Sequence, residues 1–240
     1  MTVLPQRYKG DTKRERVEEM FDSIAPQYDL LNKVLSAGID KKWRRKAIDQ
    51  LIALHPKSIL DIATGTADLA LEAVRLKPDT ITGIDISNKM LDIGRVKIKD
   101  KQLDSLIKLE QGDSEALPYS AASFEAVTVA FGVRNFEHLE KGLSEILRVL
   151  KPGGMLVVLE FSQPTAFPIK QFYNLYSKHI LPSVGQMISK ERSAYEYLPE
   201  SVAAFPYGKK FLAVLDKTGF RDTKAIPLTF GIASIYTATK

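Results

Sequence analysis

Three acids in this chain stand at or near the ends of apolar, β-branched runs. They are Asp61 in Ile59-Leu60-Asp61-Ile62, Asp85 closing Ile81-Thr82-Gly83-Ile84-Asp85, and Asp113 in Gln111-Gly112-Asp113-Ser114. Between the first two, Ala63-Thr64-Gly65-Thr66-Ala67-Asp68 reads as a tight turn that opens a helix. Together they form the frame that holds a nucleoside in an α/β sheet. A dinucleotide pyrophosphate asks for G-x-G-x-x-G, so that backbone N–H groups can approach two phosphates, and this turn keeps only Gly65. A nucleoside without phosphates fits better. Its ribose hydroxyls suit Asp85, about twenty residues beyond the first motif, and an amino-acid ammonium suits Asp61. S-adenosylmethionine combines these features.

Each of these residues has a plainer reading beside the functional one. Thr66 and Asp68 open a helix and would serve as caps, or Thr66 touches the ligand. Asp113 and Ser114 alone would make a turn. In register with two other acid-ended strands they become an adenine site, with the acid accepting from the adenine amino group. Ala130-Phe131-Gly132-Val133-Arg134-Asn135-Phe136 follows a fourth apolar run, where donor and acceptor should meet. Arg134 and Asn135 are placed there to bind an oxygen-rich ring, unless Arg134 simply pairs with Glu137 or Glu140. His55, His138 and His179 lack metal-ligand spacing and no cysteine is present, so no metal site is expected. His179 is the histidine whose position would suit a base.

The elements that position these residues alternate between strand and helix. Expected strands are 58–62, 80–85, 106–110, 124–131 and 154–161, with helices 67–76, 88–100 and 137–150 between them. Lys151-Pro152-Gly153-Gly154 reads as the turn between the last helix and strand. Strands separated by helical crossovers must be parallel and right-handed. Two further apolar runs, 220–228 and 232–239, form a hairpin that adds an antiparallel edge. The fold class is therefore α/β: a Rossmann-like, doubly wound, seven-stranded mixed sheet. The chain divides into an N-terminal helical cap (1–55), a cofactor-binding core (56–161), a lid insertion (162–208) and a C-terminal helix with the hairpin (209–240), all within one domain. The cap helices are expected at 14–23, 30–35 and 41–54. The insertion is longer than ordinary αβ connections. Its Phe172, Leu175, Tyr176, His179 and Ile180 share one helical face, which packs on the sheet, lines an apolar substrate pocket, or does both.

Composition limits the remaining choices. The chain has 240 residues, 45% of them hydrophobic, enough for a sizeable core. The lack of cysteine excludes disulfides and thiol chemistry and suits a reducing compartment. No apolar run approaches a membrane span and no secretory core is seen at the start, so a soluble, cytoplasmic protein is expected. The net charge of +5 is spread along the chain, which argues against a nucleic-acid partner.

The chain resembles the class I S-adenosylmethionine-dependent methyltransferases in its three acids and in Leu150-Lys151-Pro152-Gly153-Gly154. More narrowly it is similar to the ubiquinone/menaquinone biosynthesis C-methyltransferases. That likeness rests on Met20-Phe21-Asp22, Ile24 to Asn32, Trp43-Arg44, Phe131 to Asn135, Leu159 to Pro164, Tyr195 to Leu198 and Glu200-Ser201. It implies methyl transfer to a ring carbon of a polyprenylated quinol. Thr66, Asp85, Asp113 and Ser114, with Asp61 and Gly65 from the motif itself, would contact S-adenosylmethionine. Arg134, Asn135 and Tyr28 would lie on the substrate side. There Arg134 and Asn135 would stabilise an oxyanion, and Tyr28, with Asp29 or a water, would help remove the proton. Demethylmenaquinol is the preferred acceptor, since the start of the chain shows no organelle presequence; a methoxybenzoquinol and other small phenols are the alternatives. A polyprenyl tail implies contact with a membrane surface through the aromatic lid and Lys170, Lys178, Lys190 and Arg192. A homodimer is compatible with the sequence. The chain departs from the family pattern at Ala63 and Ala67, where many methyltransferases have glycine, and at Ala130, where some relatives have serine.

Overall fold

A computed structural model describes residues 3–176 and 192–240. His179, Ile180, Lys178 and Lys190, singled out above, lie outside the described residues, as does the side chain of Arg192. The cap consists of α1 (Lys13–Ile24), α2 (Tyr28–Leu35) and α3 (Ile39–Asp49). The core runs β1 (Ser58–Ile62), α4 (Asp68–Ala73), β2 (Thr80–Asp85), α5 (Asn88–Asp100), β3 (Ile107–Gln111), β4 (Phe124–Ala130), α6 (Leu139–Val149) and β5 (Leu150–Phe161). Then follow α7 (Ile169–Leu175), α8 (Arg192–Ala204), α9 (Lys209–Thr218), β6 (Arg221–Leu228) and β7 (Ala233–Thr239).

The sheet order is β3-β2-β1-β4-β5-β7-β6, with the first five strands parallel and β7 antiparallel to both neighbours. Side chains alternate along each inner strand because the strand period is two. On β5, Leu156 and Val158 join the core under α6 and α9, while Val157 and Leu159 join the core under α3 and α4. Each such fully buried aliphatic is worth about 1.5–3 kcal/mol against exposure, so register is strongly fixed. β1 and β4 run parallel, but the order in which strands are added reverses between them, from β1-β2-β3 on one side to β4-β5 on the other, which opens a crevice at their carboxyl ends.

The cap is built by ordinary local rules. Thr12 and Glu15 form a capping box at the start of α1, and Val17, Met20 and Ile24 bury one stripe. With Tyr8 and Leu31 they pack against Ala194 and Tyr197 of α8, so cap and insertion share a core of their own.

Several expectations are corrected. Lys151 to Gly154 is a bulge within a continuous β5: Phe124 pairs with Leu150 and Ala126 with Met155. The C-terminal residue pins that bulge, through Lys240 N–H donating to Gly154 C=O at 3.0 Å. The helix expected at 67–76 is α4 followed by a tight 3₁₀ turn over Val74–Leu76. The expected lid face holds only in part: Tyr176 lines a cavity as expected, but the residue beside it there is Tyr173, not Phe172 or Leu175. Phe172 and Leu175 are exposed at 66% and 56%. Phe205, counted with the insertion, belongs to the core beneath the sheet.

Candidate active site

The crevice holds three adjoining spaces. The first, about 700 Å³, is lined by Asp85, Ile86, Met90, Gly112, Asp113 and Ser114 and closed by Arg14, Val17 and Phe21 of α1. A smaller one, about 350 Å³, lies over the β1 turn, with Asp61, Gly65, Thr66, Asp68 and Arg44 in its wall. The third, about 1470 Å³, is largely apolar and is enclosed by cap, insertion and the β4 loop. Tyr28 and Phe131 line all three.

On the nucleoside side the sheet presents its acids with their hydrogen bonds satisfied. Asp85 accepts the Gly65 N–H at 2.8 Å and the Ser87 N–H at 2.9 Å. Asp61 accepts the Thr64 and Thr128 hydroxyls, each at 2.6 Å. Burial pushes both carboxyls up to about 6, opposed by these hydrogen bonds. Two buried acids raised in this way at one edge of the sheet mark a candidate functional site. Asp113 accepts the Glu115 N–H at 2.8 Å and faces Arg14 of α1 at 3.4 Å, which ties the cap to the loop after β3. What an adenosyl amino acid would meet here is one buried acid beside an apolar slot and a second acid over the turn.

The turn itself is strained. Ala63 and Ala67 both have positive φ, 52° and 65°, as does Gly65 at 55°. A left-handed alanine costs roughly 1–2 kcal/mol. Room for the Ala63 methyl comes from Gly132, where a Cβ would meet it at 2.4 Å. The alanine is thus accommodated in the facing loop, and the glycine pattern is displaced rather than lost. Phe131 is left-handed as well, at φ 57°. Its N–H donates to Leu159 C=O at 2.7 Å, and its ring packs on Phe161 at 4.6 Å.

On the other side Arg134 is held rigidly. It donates to Glu160 at 2.8 Å, to the Phe131 carbonyl and to Ser201 at 3.3 Å, and stands 5.6 Å over the Phe161 ring. Its partner is therefore Glu160, and the pairing with Glu137 or Glu140 is not formed: Glu137 accepts the Lys13 N–H and Glu140 pairs with Lys217. Glu160 is fully buried, which raises its pKa against the lowering effect of the Arg134 charge. Lys13, lowered to about 8 by burial and by the Arg134 charge, donates to the carbonyls of Arg134 and Phe136. Asn135 accepts the Tyr197 hydroxyl at 3.1 Å.

Tyr28 reaches the junction, but burial raises its phenol pKa above the ordinary value. It keeps its proton near neutral pH and suits hydrogen-bond donation better than proton removal. Asp29 does not back it up, since it is bound to Lys97 at 2.6 Å and to the Thr66 hydroxyl at 2.7 Å. Thr66 makes no helix cap, and Ala67 occupies the position before α4. Among the described residues no group of three or more His, Asp or Glu is arranged to hold a metal.

Sequence reasoning found the acids and Arg134 but missed their partners. Glu160 ends a buried apolar strand, a signal of the same kind as Asp61, and Asp40-x-x-x-Arg44 is an i,i+4 pair on one helix face. Lys97 gave no local sign.

The sequence profile described as the ubiE/COQ5 methyltransferase family matches residues 9–240. A Bacteroides fragilis protein named demethylmenaquinone methyltransferase is 49% identical over 97% of this chain and 96% of its own length. A Geobacter protein named ubiquinone/menaquinone biosynthesis C-methyltransferase UbiE is 44% identical over 97% of this chain and all of its own. Among solved structures, a Thermotoga maritima S-adenosylmethionine-dependent methyltransferase superposes with a TM-score of 0.65 at 20% identity, covering 93% of this chain and 99% of its own. At that identity the likeness concerns the fold alone.

Proposed function

This chain belongs to the ubiE/COQ5 methyltransferase family, and from that premise we propose that it C-methylates a polyprenylated quinol, converting demethylmenaquinol to menaquinol with S-adenosylmethionine as donor. One observation carries the reading: a crevice that carries buried acids adjoins, at Phe131 and Tyr28, a large apolar cavity. That pairing matches a charged nucleoside donor meeting an apolar acceptor.

When bound, the donor supplies an activated methyl group, so the chain has chiefly to position, shield and polarise. Asp85, Asp113 and Ser114 hold the nucleoside, while Thr66 and Gly65 shape the turn beside it and Asp61 faces the ammonium. Phe131 and Phe161 present an aromatic wall for the ring. A quinol hydroxyl has a pKa of about 10 by analogy with tyrosine. Arg134 is fixed by Glu160 through Nη1, which leaves Nη2 for that oxygen, and Asn135 and the Tyr28 hydroxyl add polar partners. Stabilising the oxyanion raises electron density at the ring carbon. The hydroxyl proton passes to water. The ring carbon then takes the methyl group as its bond to the donor sulfur breaks, which leaves a neutral thioether. The hydrogen that the carbon carried departs as a proton to water and restores the aromatic ring.

A polyprenyl tail has to leave the cavity towards lipid. Leu30 and Val34, Phe172 and Leu175, and Phe230 are exposed, and each group adjoins cavity-lining residues Leu35, Tyr173, Tyr176 and Thr229. No helix among the described residues is long and apolar enough to cross a membrane. The exposed apolar rim supports contact with a membrane surface as part of this reading. Exchanging Phe172 and Phe230 for serine is expected to reduce sedimentation with anionic liposomes; unchanged sedimentation removes the rim from the account.

The deciding assay supplies purified protein with methyl-labelled S-adenosylmethionine and either demethylmenaquinol or 2-methoxy-6-polyprenyl-1,4-benzoquinol. Labelled menaquinol is the expected product. Turnover of the benzoquinol alone would shift the assignment to ubiquinone synthesis.

A further inference from the structure

The 350 Å³ space over the β1 turn is lined by two acids, Asp61 and Asp68, and, among the described residues, by one cation, Arg44. Arg44 is 8% exposed and also lines the large cavity. It comes from α3, so it belongs to the cap and not to the sheet that carries the acids. Its Nη1 binds Asp40 at 2.6 Å and its Nη2 binds Asp68 at 3.1 Å. Asp68 is held independently by Lys97 at 2.7 Å, and Lys97 in turn holds Asp29 of α2 at 2.6 Å.

An α-amino acid end is a zwitterion. Its ammonium needs an acceptor, which Asp61 supplies, and its carboxylate needs a cation, which Asp61, Asp68 and the hydroxyls of Thr64 and Thr66 cannot supply. We propose that Arg44 binds the carboxylate of the donor's methionine end, so that the N-terminal cap completes the donor site; the inference rests on the donor reading above. A guanidinium has five donors, and a carboxylate takes two of them in parallel. Nη2 is free to turn from Asp68 to the ligand because Lys97 continues to neutralise that acid. Asp40 keeps the guanidinium in place from the opposite side, with the Ser36 hydroxyl bound to its other oxygen at 2.6 Å. One cation in an acidic pocket also sets the donor's orientation, since the reversed amino acid would place its carboxylate against Asp61.

The test is titration calorimetry with two ligands, S-adenosylmethionine and its decarboxylated form, which keeps the sulfonium and the amine and lacks only the carboxylate. The wild-type chain is expected to prefer the carboxylated donor by about tenfold to a hundredfold, the range for a hydrogen bond between charged groups. Arg44→Met should abolish that preference, weakening S-adenosylmethionine while leaving the decarboxylated ligand within about twofold. Arg44→Lys, which keeps the charge but on a single ammonium in place of the two-sided fork, should retain part of the preference. Equal affinity of the wild type for both ligands, or an equal loss of both in the variants, overturns the proposal while leaving the donor reading intact. Wild-type binding of neither ligand overturns the donor reading, and this inference with it.

Discussion

The two halves of the site are made differently. The nucleoside half is a property of the sheet: three neighbouring parallel strands each deliver an acid to one edge, and adjacent register does the alignment. The acceptor half is assembled from segments far apart in the chain, with Arg134 from the β4 loop, Glu160 from β5, Tyr28 from the cap and Tyr197 from the insertion. A part built by one sheet can be shared across many enzymes, and the part built by appended elements sets what the enzyme acts on.

Breaking the acceptor half is expected to have the largest effect. Arg134→Met paired with Glu160→Gln removes the oxyanion partner without stranding a buried charge. It should lower kcat by about 10²–10³, as loss of one such donor does, with donor affinity measured by calorimetry nearly unchanged. Arg134→Ala alone leaves Glu160 buried and unpaired and should also destabilise the fold by about 3–5 kcal/mol in a denaturant titration. Loss of donor binding in the double variant would erase the distinction between the halves.

Breaking the nucleoside half should reverse the pattern. Asp85→Asn is expected to weaken the donor by about tenfold to a hundredfold and to leave the quinol's KM little changed, which steady-state kinetics at saturating donor will read.

The pH response sharpens the same contrast. Asp61 and Asp85 are held near 6 in the fold by burial, against about 3.9 for an exposed aspartate. The empty folded chain therefore binds protons more tightly than the unfolded one. That contribution to stability is full below about pH 4 and is lost as pH rises through about 6. A donor with two cationic groups favours the ionised acids, so its affinity should fall below about pH 6, by at most tenfold per unit for each carboxylate. Calorimetry across that range checks this, and a flat profile would contradict it.

The smallest effect concerns the turn. Ala63→Gly releases a left-handed alanine and should stabilise the chain by about 1 kcal/mol in thermal or denaturant unfolding; destabilisation would mean that the Ala63 methyl packs better against Gly132 than its backbone cost allows.

The nucleoside half was legible because its signals are local. Period-two alternation fixes the strands, and an acid at the end of each reads as a ligand group in a sheet of this topology. Boundaries moved only slightly, as in the third strand, expected at 106–110 and found at Ile107–Gln111. The acceptor half was legible only in part. Arg134 stood out after its strand, but its partner lies 26 residues on, and Lys97 meets Asp29 and Asp68 from a different helix. Such pairings leave no trace in local periodicity. The insertion misled for a related reason: helical spacing groups Phe172 with Leu175 and Tyr176 but does not say which way the face turns. The Lys-Pro-Gly-Gly stretch carries turn residues, yet Phe124 and the C-terminal residue draw it into β5 as a bulge.

The position of the transferred methyl group tests the whole account most directly. With carbon-13 methyl S-adenosylmethionine and demethylmenaquinol, NMR of the product should show the label as a methyl on the quinol ring carbon. A label found on a quinol oxygen, or no transfer while a nicotinamide or flavin nucleotide binds tightly, would contradict it.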